Sequence, residues 1–210
     1  MAGLADAVVL AVKPQVFPAV LPELSPVLHR RRPLVISIAA GKTLEAIESL
    51  LGAGLAVVRV MPNTPAAIGK GMLALAAAEG TPEARIRAVE AMLAPAGLVE
   101  RIAEGQMDAF SAVAGCGPAF VYPFIEALAD GGVMAGLPRQ QALTYAAQMV
   151  LGAAAMVLES GKHPGHLKDE VCSPGGSTIQ GVRVLEERGF RGAVMDAVIA
   201  AYEKSTALGK

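Results

Sequence analysis

The sequence runs to 210 residues with 18 basic and 19 acidic side chains, a formal net charge of −1, so it lacks the positive footprint that holds a phosphate polymer, and no nucleic-acid partner is expected. At 53% hydrophobic residues the chain can fill one large core or two modest ones, which excludes disorder. Cys116 and Cys172 lie far apart without histidine spacing, so they form neither a disulfide framework nor a zinc knuckle; both read as free thiols in a reducing cytosol.

A mean hydropathy of +0.48 brings a membrane segment into question. The best candidate, Ala142 to Leu158, contains Thr144, Gln148 and Gly152 and falls short of the roughly twenty residues a bilayer requires. It reads as a buried helix, and a helix apolar on nearly all sides is covered by its own fold or by another subunit, which predicts a homodimer or higher homo-oligomer. Ala7 to Val12 is a short apolar run without a basic flank, so no signal peptide, no membrane and a cytoplasmic location are expected.

In chain order, Ala7 to Val12 reads as a strand buried on both faces and ended by Lys13-Pro14. Gln15 to Leu28 has helical spacing, Leu34 to Ile38 is a second buried strand, and Thr43 with Glu45 opens a short helix that Gly52 closes. Ala56 to Met61 is a third strand, running into Pro62-Asn63-Thr64-Pro65. This strand–helix alternation predicts a parallel sheet with crossover helices. Between Gly71 and Ala103 come a further strand, a helix from about Pro82 and a strand near Leu98 to Ile102. After Glu104-Gly105 only helical runs follow. The fold class is therefore α/β then all-α, with a boundary near residue 105: a dinucleotide-type sheet domain over 1–105 and a helical domain over 106–210.

In open parallel sheets ligands sit beyond the carboxyl ends of the strands, which singles out Lys13-Pro14-Gln15, Ala39-Ala40-Gly41-Lys42 and Pro62-Asn63-Thr64-Pro65. Each alone can equally be a turn. Cys172-Ser173-Pro174-Gly175-Gly176-Ser177-Thr178 runs straight into the helical pattern Ile179 to Arg188. Two glycines allow a tight turn, the hydroxyls offer donors, and the free amides of a first helical turn attract a carboxylate or phosphate. The bland alternative is that Ser177 or Thr178 simply caps the helix. The glycines of Ala114-Gly115-Cys116-Gly117-Pro118 are read as packing positions, and Asp130, in an Ala129–Val133 stretch expected to interrupt a helix, as a capping or surface group. His163 and His166 flank Pro164-Gly165 with no third ligand nearby, so no metal is expected.

Taken together the segments AVKPQ (11–15), SIAAGKTL (37–44), VRVMPNTPAAIGKG (58–71), VAGCGPAF (113–120), ALADGGVMAGLPR (127–139) and HPGHLKDEVCSPGGSTIQGVRVLEERGFRGAV (163–194) resemble the pyrroline-5-carboxylate reductase family, in the family's order and across essentially the whole chain. The resemblance implies an oxidoreductase of proline biosynthesis that reduces a five-membered cyclic imine with NADPH or NADH. It implies a Rossmann-like domain, an interlocking helical oligomerisation domain, and an active site formed between the cofactor domain and the helical domains. By the same resemblance Lys13, Pro14, Ala39, Ala40, Asn63 and Thr64 line the nicotinamide half of the cofactor, and Ser173, Gly175, Gly176, Ser177 and Thr178 hold the substrate. Thr178 then faces the ring nitrogen, as the residue closest to a catalytic role.

One departure stands out. The Gly-x-Gly-x-x-Gly turn that cradles a pyrophosphate is not in the sequence, so the sheet domain reads as truncated by about two βα units, leaving an edge strand to be covered. A polypeptide of these residues alone is expected to bind NADPH poorly and to reduce the imine slowly or not at all. Two other readings compete: a non-catalytic assembly module of the same family, and a β-hydroxyacid dehydrogenase-like enzyme. The latter needs a helix-embedded catalytic lysine, and Lys162 and Lys168 do not lie in that pattern.

Overall fold

The structure, a computed structural model, describes residues 5–209. Five strands, β1 (Ala7–Leu10), β2 (Leu34–Ser37), β3 (Ala56–Met61), β4 (Gly71–Ala77) and β5 (Gly97–Arg101), stand side by side in chain order. β1, β2 and β3 pair in parallel, as do β4 and β5, whereas β3 and β4 are antiparallel. The sheet is therefore parallel-dominated, with one reversal that the strand–helix alternation did not predict. Its cause is local. Residues 62–70 hold only a 3-10 turn, Thr64–Ile68, which is too little chain for the crossover a parallel pair requires.

Both faces of the sheet are covered at β2 and β3, which explains their unbroken apolar runs; β1, expected to be buried on both faces, ends at Leu10 and buries only that residue, because it is the first strand of the sheet order and Val9 is left exposed. On one side α1 (Phe17–Arg31) and α2 (Leu44–Leu51) bury Phe17, Leu21, Leu28, Ile47 and Leu51 against Val35, Val57 and Ala74. On the other, Ile36, Val58, Val60 and Leu75 pack under Val89 of α3 (Glu83–Leu93), the alternation a pleated strand imposes. α2 starts and stops as its sequence directs: Thr43 accepts the Ala46 N–H at 3.0 Å, and Gly52 follows the last residue at φ +86°. Pro22 and Pro26 fall on the exposed side of α1, so the core-facing side keeps its packing.

Beyond β5 the described chain is helical. A short α4 (Met107–Phe110) passes into a π-helical turn, Ser111–Gly115, followed by α5 (Gly117–Met134), α6 (Arg139–Ser160), α7 (Pro164–Val171), α8 (Ser177–Glu187) and α9 (Phe190–Gly209). α5 runs without a break through Gly131 and Gly132, so the interruption expected at Ala129–Val133 does not occur. A Cβ on Gly132 would approach Ala142 Cβ to 3.2 Å; the glycine serves close packing of α5 on α6, and that packing outweighs its poor helix propensity. Asp130 is exposed and paired with Arg139.

Two compact units emerge, one of residues up to Pro118 together with those from Val198 on, the other of Ala119–Ala197. The second has few interior side chains: Ala129, Ala142 and Ala146 form its buried cluster. Within α6, Leu143, Tyr145, Met149, Leu151, Met156 and Leu158 are all more than a third exposed. The helix expected to be covered is thus largely uncovered by its own chain. Glu104–Met134 and α6 are both long and apolar enough to cross a membrane by length and composition.

Candidate active site

Because β1, β2 and β3 are parallel and in register, Leu10 beside Ser37 and Ser37 beside Arg59, their exits open at one end of the sheet. The Ile38 N–H donates to the Leu10 carbonyl at 3.2 Å and the Ala39 N–H to Ser37 Oγ at 3.4 Å. Ala39 is buried, while Ala40, Val12 and Ile38 are exposed, giving an open ledge of small and apolar groups. Lys13 is exposed ahead of a 3-10 turn, Pro14–Val16, and has no ion pair among the described residues. Thr64, exposed, opens the turn after β3. Asn63 is different: its Oδ1 accepts the Met72 N–H and its Nδ2 donates to the Ala114 carbonyl, both at 3.0 Å. All six positions marked out for the cofactor therefore follow the carboxyl ends of parallel strands.

The N-terminus of α2, beside this ledge, is closed. Glu104 Oε1 accepts the Leu44 N–H at 2.6 Å and the Arg59 Nη1 donor at 3.1 Å. Arg59 is 5% exposed, on β3, so Glu104 neutralises a buried charge while supplying the negative group that the helix dipole favours. Sequence reasoning missed this pair. The available signal was a lone arginine inside the apolar strand Val58-Arg59-Val60, which demands a carboxylate somewhere.

In Ser173–Thr178 the opposite arrangement holds. Gly175 has φ +69°, a conformation glycine adopts readily, and the Gly176 N–H turns back to the Ser173 carbonyl at 3.0 Å. The N-cap of α8 is Gly176, with no side-chain cap. Ser177 and Thr178 are thus the first helical residues and not its caps, which disposes of the capping alternative. The hydroxyls of Ser173, Ser177 and Thr178 are exposed and have no hydrogen-bond partner among the described residues. The mouth of this helix combines first-turn amides with three exposed hydroxyl-bearing residues, an arrangement suited to an anion.

Just before it, α7 is braced. Glu170 receives Lys162 Nζ at 2.6 Å and faces His166 Nε2 at 3.1 Å. The Lys162 hydrogen bond holds the Glu170 carboxyl below the ordinary carboxylate value, with a smaller contribution from His166. His163 Nδ1 accepts the Gly165 N–H at 3.0 Å and caps α7. Gly115 is a packing position, as read from the sequence: a Cβ there would meet Met61 Cε at 3.3 Å, whereas one on Gly117 would meet nothing within 4 Å.

A parallel-dominated sheet with small residues at its strand exits, followed by helices with an uncapped glycine-serine-threonine mouth, defines a two-part oxidoreductase of the Rossmann type. Residues 104–208 match the family described as pyrroline-5-carboxylate reductase dimerisation. Over 209 residues the chain is 48% identical to pyrroline-5-carboxylate reductase of Synechocystis, covering 100% of this chain and 77% of the relative. It is 47% identical over 211 residues to the enzyme of that name from Escherichia coli, 100% of this chain and 78% of that one. Among solved structures, the Plasmodium falciparum pyrroline carboxylate reductase with NADP bound superposes with a TM-score of 0.91 at 38% identity, covering 100% of this chain and 79% of that one. The chain belongs to the pyrroline-5-carboxylate reductase family.

Proposed function

We propose that this protein reduces pyrroline-5-carboxylate to proline with NADPH or NADH, the closing step of proline biosynthesis. The observation that carries the assignment of roles is the open N-terminus of α8. The substrate's carboxylate accepts hydrogen bonds from the Ser177 amide, which the turn leaves free where the Gly176 N–H is spent on the Ser173 carbonyl, and from Ser173 Oγ, with the helix dipole adding to the attraction. The Thr178 hydroxyl orients the ring nitrogen. A hydroxyl is a weak acid near neutral pH, so Thr178 positions that nitrogen and water delivers the proton.

The ledge at the strand exits fits a flat, uncharged ring. Ala39 and Ala40 carry no side chain large enough to obstruct it, Val12 and Ile38 offer an apolar bed, and Lys13 stands free to meet a phosphate or ribose oxygen. When bound, the dinucleotide supplies the hydride. The protein's part is alignment of the imine carbon and exclusion of alternative geometries. Residues 1–105 serve the cofactor and 106–210 the substrate and the oligomer. The exposed apolar surface of α6 is covered in a homodimer or larger assembly, and the assembly works in the cytoplasm.

The 210-residue polypeptide is to be assayed with NADPH and pyrroline-5-carboxylate, alone and after fusion to the glycine-rich βα units of a relative. Imine-dependent oxidation of NADPH with formation of proline is the expected result for the fusion. A fusion that oxidises hydroxy acids and ignores the imine overturns the proposal.

A further inference from the structure

Asn63 joins two pieces of chain that are distant in sequence. Through Oδ1 it holds the Met72 N–H at the start of β4, and through Nδ2 it holds the Ala114 carbonyl. Ala114 lies in the π-helical turn, where the wider spacing, Cys116 N–H to Ser111 carbonyl at 2.8 Å, takes carbonyls out of the ordinary ladder. A single π turn is an unfavourable insertion that persists when its surroundings hold it, and such turns recur at functional sites. Two contacts hold this one, both from the exit of β3. The first is the Asn63 carboxamide. The second is Met61, whose Cε packs so near Gly115 that a Cβ there would come within 3.3 Å. Upstream, Glu104 fixes the same stretch to Arg59 and to the first turn of α2.

We propose that Asn63 is a positioning residue. Its carboxamide fixes the π turn and Gly115-Cys116-Gly117 against the exit of β3, giving the nicotinamide ledge a rigid wall before any ligand arrives. This deepens the reductase reading and rests on it for its catalytic consequence; the structural half stands without it. The side chain was marked as a cofactor contact by resemblance, yet its oxygen and its nitrogen are both engaged within the protein. Its backbone remains on the ledge.

Asn63→Asp has the same shape and keeps the acceptor for Met72, but sets an oxygen against the Ala114 carbonyl. Amide hydrogen exchange is measured in the purified protein without cofactor or imine. Loss of that hydrogen bond, together with the repulsion that replaces it, should speed exchange across 111–118 by about tenfold while 34–37 stays unchanged. Asn63→Ala should act in the same direction. In the protein active with the imine, kcat should fall at least about tenfold, as expected of a small misplacement, while the NADPH Kd changes less than about threefold. Unaltered exchange over 111–118 in both variants overturns the proposal. So does a tenfold loss of NADPH affinity with exchange unaltered, which makes Asn63 a direct ligand. If Asn63→Asp exchanges faster everywhere, Asn63→Ala decides, since it removes the donor to Ala114 without adding a charge, and absence of a local acceleration over 111–118 in that variant sinks the idea. Local acceleration, with a fusion to the glycine-rich βα units of a relative that oxidises hydroxy acids and ignores the imine, refutes the reductase reading and leaves the positioning role intact.

Discussion

Gly176 is the residue at which geometry and chemistry meet most tightly. A Cβ there would stand 2.5 Å from Ser173 Oγ and 3.1 Å from the Ser173 carbonyl, so Gly176→Ala must push the Ser173 hydroxyl aside and crowd the turn, disturbing the donors of the proposed carboxylate site. Hydrogen bonds to a charged group contribute about 1.5–3 kcal/mol each. The imine kcat/KM is therefore expected to fall roughly tenfold to a hundredfold, with thermal stability little changed, as steady-state kinetics beside a melting curve will show. The Arg59–Glu104 pair behaves otherwise. Glu104→Ala strands a guanidinium that is 5% exposed, which costs about 3 kcal/mol or more, whereas Arg59→Met with Glu104→Gln should restore most of that stability. Denaturant unfolding of the single and double variants measures the difference. The glycine turn was legible because Pro-Gly-Gly-Ser-Thr ahead of a helical pattern has few other uses. The ion pair was not, because its members lie 45 positions apart and no local rule links them.

Among the elements, α2 is the plainest case of local instruction agreeing with the whole: a threonine cap, an apolar stripe and a closing glycine. Ile47, fully buried between α2 and the sheet, should cost about 2–5 kcal/mol on replacement by alanine, read as a lowered denaturant midpoint. Each strand was visible as an apolar run, yet the direction of β4 was hidden, because direction depends on the length and shape of residues 62–70 and not on the strand's own composition. α5 and its glycines taught the same lesson, since a helix that packs closely on Ala142 favours the residues an isolated helix disfavours. The brace on α7 sets a pH dependence. Glu170 is held below the usual carboxylate range by Lys162 and then His166, and Glu83 and Glu90 are held down by Arg101. Their folded-state values lie beneath the unfolded one, so the stabilisation is fully present above about pH 4.5, the ordinary carboxylate value, and is lost as pH falls through the lowered values. Thermal melts should be flat across neutral pH and decline only below that point. Lys162→Met should remove most of the α7 share of this acid-side loss, His166 retaining the remainder.

At the scale of the molecule, one chain leaves a large apolar surface on α6 and buries three alanines in its helical unit. In the proposed homo-oligomer a partner supplies the missing interior, so the melting temperature should rise with protein concentration, since mass action stabilises what the folded state binds. A melting point independent of concentration over a hundredfold range would contradict this. That the helical part is unusually apolar could be read from its hydropathy; which faces are left open could not, because that depends on how α5 crosses α6.

The return of α9 carries a further consequence. Ser205 donates to Asp108 at 3.0 Å, and residues from Val198 on belong to the unit that the chain left at Pro118. The intervening helices form an excursion tethered at both ends to one body. Clipping the backbone once after Lys162 should yield two polypeptides that elute together under native conditions and separate in denaturant. The same two pieces, produced as separate genes, should find each other and rebuild the protein.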